Sequence, residues 1–216
     1  MVILLIYIVI FVASFFLVRL AVDQTANGFV ARKTVTFGDE SAVTSNRTAS
    51  VISILTIFLL WGAFTGSSLL PRFLHAPGPF EGLAELTYTA EAEDGSRDDA
   101  TITVLVHPVG EDADTPQVDP GEGWAKNDAF TIGAWRSGLL HVDKNDDKGR
   151  DVGHRVVAVN GQQIVPGGEV LTDFGRVGMS PKGTLNFEPA KGWQMEPIWL
   201  PPPEAVVARL GEISSQ

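Results

Sequence analysis

Two stretches interrupt the chain's otherwise mixed pattern of apolar and polar positions. Residues 2–22 (VILLIYIVIFVASFFLVRLAV) carry one charge, Arg19, and residues 50–70 (SVISILTIFLLWGAFTGSSLL) carry none. Both are apolar on every side and lack the polar stripe of a surface helix. At about 1.5 Å of rise per residue, about 20 such residues cross a hydrocarbon core about 30 Å thick. The pattern therefore predicts transmembrane helices over 1–22 and 50–70, joined by a loop over 23–49. The first is read as a retained span, because no Lys or Arg precedes the run and Leu20-Ala21-Val22-Asp23 is a poor cleavage site.

Beyond residue 70 the period changes. Pro71, Pro77, Gly78 and Pro79 stop the helix and predict an extended linker over 71–82, with Arg72, Phe73 and Phe80 suited to a membrane interface. From 83 to 195 no helical period is visible, and short alternating runs predict a β domain of six to eight strands. Leu86, Tyr88 and Ala90 alternate with Glu85, Thr87 and Thr89, and Asp94-Gly95 turns this strand into the β-branched run ATITVLV. HRVVAVNGQQIV is a second hairpin, with Asn160-Gly161 suited to a type I′ turn. Residues 196–216 form a Pro-rich segment and a short amphipathic helix, with Pro203 in its first turn and Glu204 at its favourable N-terminal end. The expected fold class is a membrane-anchored α+β protein: two N-terminal transmembrane helices followed by a small, mainly-β, barrel- or sandwich-like extracytoplasmic domain.

Charge orients this arrangement. Arg32, Lys33 and Arg47 fall in the loop between the helices, so the positive-inside bias places that loop in the cytoplasm and both chain ends outside. The expected location is the inner membrane of a bacterium, with the N-terminus and the C-terminal domain on the periplasmic side. Residues 71–216 hold 12 Lys and Arg against 23 Asp and Glu, a net of −11. Such an acidic face argues against nucleic acid as a partner. With no cysteine, disulfides, thiolate metal sites and cysteine nucleophiles are excluded. The four histidines (His75, His107, His141, His154) are scattered, and no cofactor is expected.

Chemical motifs are weak. Asp143, Asn145, Asp147 and Gly149 space their oxygens like the start of a calcium loop, but Lys148 and His154 stand where that loop needs glycine and a bidentate glutamate, so a solvated turn is expected. Ser137, His141 and Asp143 supply the residue types of a hydrolytic triad without an elbow motif, and no enzymatic activity is expected. The run GHRVVAVNGQQI resembles the strand–turn–strand of PDZ domains, and a plain Asn-Gly hairpin accounts for the same residues. Gly62, Ala63, Gly66 and Ser67 put small residues on one face of the second span, a surface suited to packing against another helix. Trp124, Trp135 and Trp193 are the aromatic residues that could line a binding groove.

The segment IWLPPPEAVVARLGEI resembles the lead-in of nitrate/sulfonate/taurine-type ABC importer permeases, with Leu200, Pro201, Pro203, Val206 and Leu210 in the matching places. The likeness covers about 16 residues, and the family's transport-core helices and coupling loop are not in the chain. It implies an integral membrane subunit, a permease-type component of an importer for small solutes such as sulfonates or nitrate. The lipid bilayer, other membrane-protein subunits, a solute-binding protein and an ATPase subunit would then be its partners. The alternatives are a non-catalytic accessory or scaffold subunit of another membrane complex, or a membrane-anchored periplasmic binding module.

Overall fold

The computed structural model describes residues 8, 9, 12, 13, 15–17, 19, 20, 47–148 and 153–215, with backbone only for 47–50. The expected span over 1–22 lies largely outside these residues, and the positions described within it are helical. The expected loop over 23–49 lies outside them up to residue 46. The chain divides into two compact units, Met1–His75 with Leu200–Gln216, and Ala76–Trp199.

In the first unit, helix α1 runs from Arg47 to Thr65. Its first turn is polar (Arg47-Thr48-Ala49-Ser50), and Gly66, in the left-handed region at φ 63°, ends it. The apolar part, 51–65, is thus roughly 22 Å long, short of a hydrocarbon core about 30 Å thick. Residues 66–70, expected to complete the span, form a turn instead. Among the described residues no helix is long and apolar enough to cross a membrane. This corrects the membrane-anchored fold class with its two spans. The importer-permease function, the membrane-subunit alternatives and the inner-membrane location, all of which rested on those spans, fall with it.

Helix α2, Pro203–Ser214, starts as its sequence dictates, with Pro203 at the first helical position and Glu204 in the first turn. Glu204 reaches the turn after α1: its carboxylate accepts hydrogen bonds from Ser67 Oγ (2.7 Å), Ser68 N–H (2.7 Å) and Ser68 Oγ (2.9 Å). Trp61 Nε1 donates to the Pro201 carbonyl at 2.9 Å.

Among the described residues, the second unit holds nine strands in two sheets. They are β1 (Gly82–Glu91), β2 (Arg97–His107), β3 (Asp128–Gly133), β4 (Gly138–Leu140), β5 (Arg155–Val159), β6 (Gln162–Gln163), β7 (Glu169–Thr172), β8 (Gly175–Met179) and β9 (Leu185–Pro189). The first sheet has the order β3-β2-β1-β5-β6, the second β4-β9-β8-β7. All pairings are antiparallel except β2 with β3, which are parallel and joined by the long 108–127 connection. Alternation decides which face is buried: Ala84, Leu86, Tyr88 and Ala90 of β1 point inward while Glu85 and Thr87 face out. Tyr88, Leu86, Ile102, Leu140, Leu185 and Phe187, drawn from both sheets, are fully buried in one core. Each such side chain contributes about 1.5–3 kcal/mol by leaving water. Phe80, expected at a membrane interface, packs on Phe174 at 5.2 Å beside this core.

The Asn160-Gly161 turn carries both residues at positive φ, 47° and 72°. It also docks onto β1: Asn160 N–H donates to the Thr87 carbonyl (2.7 Å) and Asn160 Oδ1 accepts from Thr87 N–H (2.8 Å). That double clasp holds the end of β5 against the central strand.

Candidate functional site

The second unit contains one dense polar cluster inside its core, built by β1, the residues before β3, the 143–148 turn and the residue before β5. Tyr88 is an inward position of β1 and fully buried, so its hydroxyl needs an internal partner. It lies 2.9 Å from the Lys126 carbonyl and 3.1 Å from Asp146 Oδ1, its single proton serving either. Asp146 Oδ1 also accepts the Lys126 N–H at 2.6 Å. Asp146 Oδ2 stands 2.7 Å from His154 Nε2, both side chains almost wholly out of solvent (0% and 2% exposed). That is an ion-pair distance, although the ring nitrogen is poorly aligned as a hydrogen-bond donor. Burial, then the charges of Asp146 and Asp128, push the Tyr88 phenol far above its ordinary value.

Around this core, Trp124 stands edge-on to His154 at 5.8 Å, and Lys148 Nζ lies 5.1 Å from the indole centroid. Lys148 also reaches Asp94 (3.1 Å) and Ser96 Oγ (2.8 Å) in the β1–β2 turn. Asn145 Nδ2 donates to the Asn127 carbonyl (3.1 Å), and Asp147 N–H to the Trp124 carbonyl (2.9 Å). The 124–128 and 143–148 segments are therefore zipped together residue by residue. Asp128, the first residue of β3, is buried at the end of this zipper, and its Oδ2 has no hydrogen-bond partner. Burial first, then Asp146 and Asp143, raise its carboxyl to about 7 against the pull of a hydrogen bond from Asn145.

Beside the network lies a cavity of about 140 Å³ at the end of the two-sheet stack where β4 and β8 finish and β5 and β9 begin. Its walls are mostly apolar (Leu140, Val142, Val156, Pro166, Met179, Leu185), with His154, Asp143, Lys182 and Thr184 supplying polar atoms. It is about the size of an engineered apolar cavity, roughly 150 Å³, that takes up benzene.

The residues singled out from sequence fall elsewhere. Ser137 opens onto a groove on the outer face of the second sheet with Leu139, Gly178 and Asn186, whereas Asp143 lines the internal cavity, so the triad types do not converge. In the calcium-like run, Asn145 is spent on Asn127 and Asp147 pairs with Lys126 at 3.2 Å. Gly149 lies outside the described residues. Of the tryptophans, Trp124 and Trp135 pack against the core, Trp193 is exposed, and none lines the cavity. In the first unit, the small-residue face of α1 folds back on its own chain. Ala63 and Ser67 are buried, and a side chain at Gly62 would meet Leu70 Cδ1 at 2.8 Å. Of the Leu200, Pro201, Pro203, Val206 and Leu210 set, Pro201 accepts the Trp61 hydrogen bond, Pro203 is buried at the start of α2, and Leu210 is 61% exposed.

No protein-family model matches the chain, and no curated protein or solved structure is similar to it.

Proposed function

We propose that the Ala76–Trp199 unit is a non-catalytic binding module, and that its internal cavity takes a compact apolar group bearing a negatively charged head. The observation that carries this reading is the cavity's lining: six apolar residues form its walls, and the basic residues Lys182, which is exposed, and Arg155 border it together with Asp143. Pockets for small ligands combine apolar walls with a few placed polar groups in this way. The volume of about 140 Å³ limits the apolar part to one branched side chain or its equivalent. The catalytic residue types next to it support binding over chemistry, because Asp146 is spent holding Tyr88, Lys126 and His154 in place.

Titration of the full chain with isovalerate, followed by methyl NMR, tests the reading. Shifts confined to Leu140, Val156, Met179 and Leu185, weaker with isovaleramide and lost in Val156→Phe, are expected. A short peptide ending in leucine, run alongside, separates a free small molecule from a chain terminus as the source of the same chemistry. Shifts that are absent with every probe, or that survive in Val156→Phe, refute the proposal.

A further inference from the structure

The charge count within the buried network does not balance. Asp146 has His154 opposite it, while Asp128, buried in the same junction, has among the described residues no counter-ion, and its Oδ2 accepts no hydrogen bond. The nearby ammonium groups are committed elsewhere: Lys126 to Asp147 on the surface, Lys148 to Asp94. From the 143–148 turn, Asp143, Asn145 and Asp146 face Asp128; from β1 comes the neutral Tyr88 phenol; from the residue before β5, His154 acts through Asp146. On β2, Asp98 adds a further negative charge near Tyr88 while accepting the Ala125 N–H at 3.0 Å. A second negative charge in so enclosed a place is costly unless water enters or the carboxylates move apart.

We propose that the Asp128–Asp146 pair makes the 143–148 turn a proton-held latch, zipped onto 124–128 while one proton sits on Asp128 and released when that proton leaves. Among the described residues, the bonds that Asn145, Asp146, Asp147 and Lys148 make run to the 124–128 segment, Tyr88, His154 or the β1–β2 turn. Release therefore costs no strand pairing. Because Asp143 of the same turn lines the cavity, opening the latch also removes part of the cavity wall. The latch itself stands whether or not the cavity binds a ligand.

The sign follows from linkage. Asp128 holds its proton more tightly in the closed form, at about 7, than a solvated aspartate at about 4. The closed state is therefore most favoured below about 4, its closed-to-open ratio falls about tenfold per pH unit up to about 7, and it changes no further above that. Amide hydrogen exchange on the full chain reads this directly, after correction for base catalysis of the exchange itself. The reporters are Lys126 N–H, which bonds Asp146, and Asp147 N–H, which bonds Trp124.

Between pH 5 and 7 their protection should fall about 50-fold and then level off, while amides of β1 and β2 keep theirs. Asp128→Asn, which keeps the shape and cannot ionise, should flatten the profile and hold the turn closed throughout. Flat protection in the unaltered protein, or the same slope in Asp128→Asn, overturns the proposal. Should the variant fail to fold, the ¹³C carboxyl resonance of Asp128 in the unaltered protein decides: a midpoint near 4 overturns the latch, and one near 7 supports it.

Discussion

Asp146 and Asp147 are sequence neighbours whose structural roles differ, and alanine at each should separate them. Asp146→Ala strips the buried network of a carboxylate that is wholly out of solvent. His154 is left without its partner, at a cost of about 3–5 kcal/mol for a buried pair broken from one side. The Lys126 N–H also loses its acceptor, about 1–3 kcal/mol, while Tyr88 keeps the Lys126 carbonyl as an alternative. The net loss is about 3–5 kcal/mol, a large part of the roughly 5–15 kcal/mol that stabilises a typical domain. Asp147→Ala removes only a pair with Lys126 at 3.2 Å whose carboxylate is 66% exposed; such pairs contribute less than about 1 kcal/mol. Urea unfolding at pH 7, followed by near-ultraviolet circular dichroism, gives both values from the shift in midpoint at constant slope. If Asp146→Ala costs no more than Asp147→Ala, the network does not hold the fold and the reasoning fails.

Other outcomes follow from single contacts. Gly175→Ala should prevent the second sheet from closing, because a Cβ there runs into the Glu188 carbonyl and φ is 153°; loss of a cooperative thermal transition is the expected readout. Asn160→Ala removes the acceptor for Thr87 N–H and forces alanine into positive φ, lowering stability by about 1–3 kcal/mol, whereas Asn160→Gly should lose less. Burial pushes the Glu204 carboxyl up, but hydrogen bonds from Ser67, its own backbone and Ser68 outweigh it and hold it at about 2. Its clasp on the turn after α1 is therefore complete above the ordinary glutamate value and is lost as pH falls toward 2. Exchange protection of the Ser68 amide should drop between pH 5 and 3, and Glu204→Gln should remove that pH dependence.

The turns were legible in the chain because their chemistry is local. Asp94-Gly95 and Asn160-Gly161 reverse the chain where a tight turn needs positive φ, and Pro203-Glu204 opens a helix as a first turn requires. The second apolar run misled because hydropathy carries no record of backbone geometry: Gly66 ends the helix at Thr65, and Ser67 and Ser68 then serve Glu204, about 137 residues away in sequence. The parallel pairing of β2 with β3 and the placement of β5 beside β1 leave no local trace either. The buried network was hidden for a related reason. Asp146 lies in DKNDDKGRD, which reads as a solvated loop, and only its distant contacts with Tyr88 and His154 bury it. The usable signal was Tyr88, a hydroxyl on the inward side of an alternating strand, which demands a polar partner within the core.

The position of β1 at the centre of its sheet sets an order for assembly. Its ten-residue ladder with β2 closes through a turn of only a few residues, whereas its pairing with β5 brings together positions such as Tyr88 and Val159, separated by most of the unit. Loop-closure entropy favours the near partner first, and contacts of long sequence separation come late. The β1–β2 hairpin is thus the template on which the rest condenses, and Tyr88 waits in it with its hydroxyl unpaired until the 124–128 segment and the 143–148 turn arrive. Substitutions in the hairpin should slow refolding, while those at Asp146 or His154 should chiefly speed unfolding.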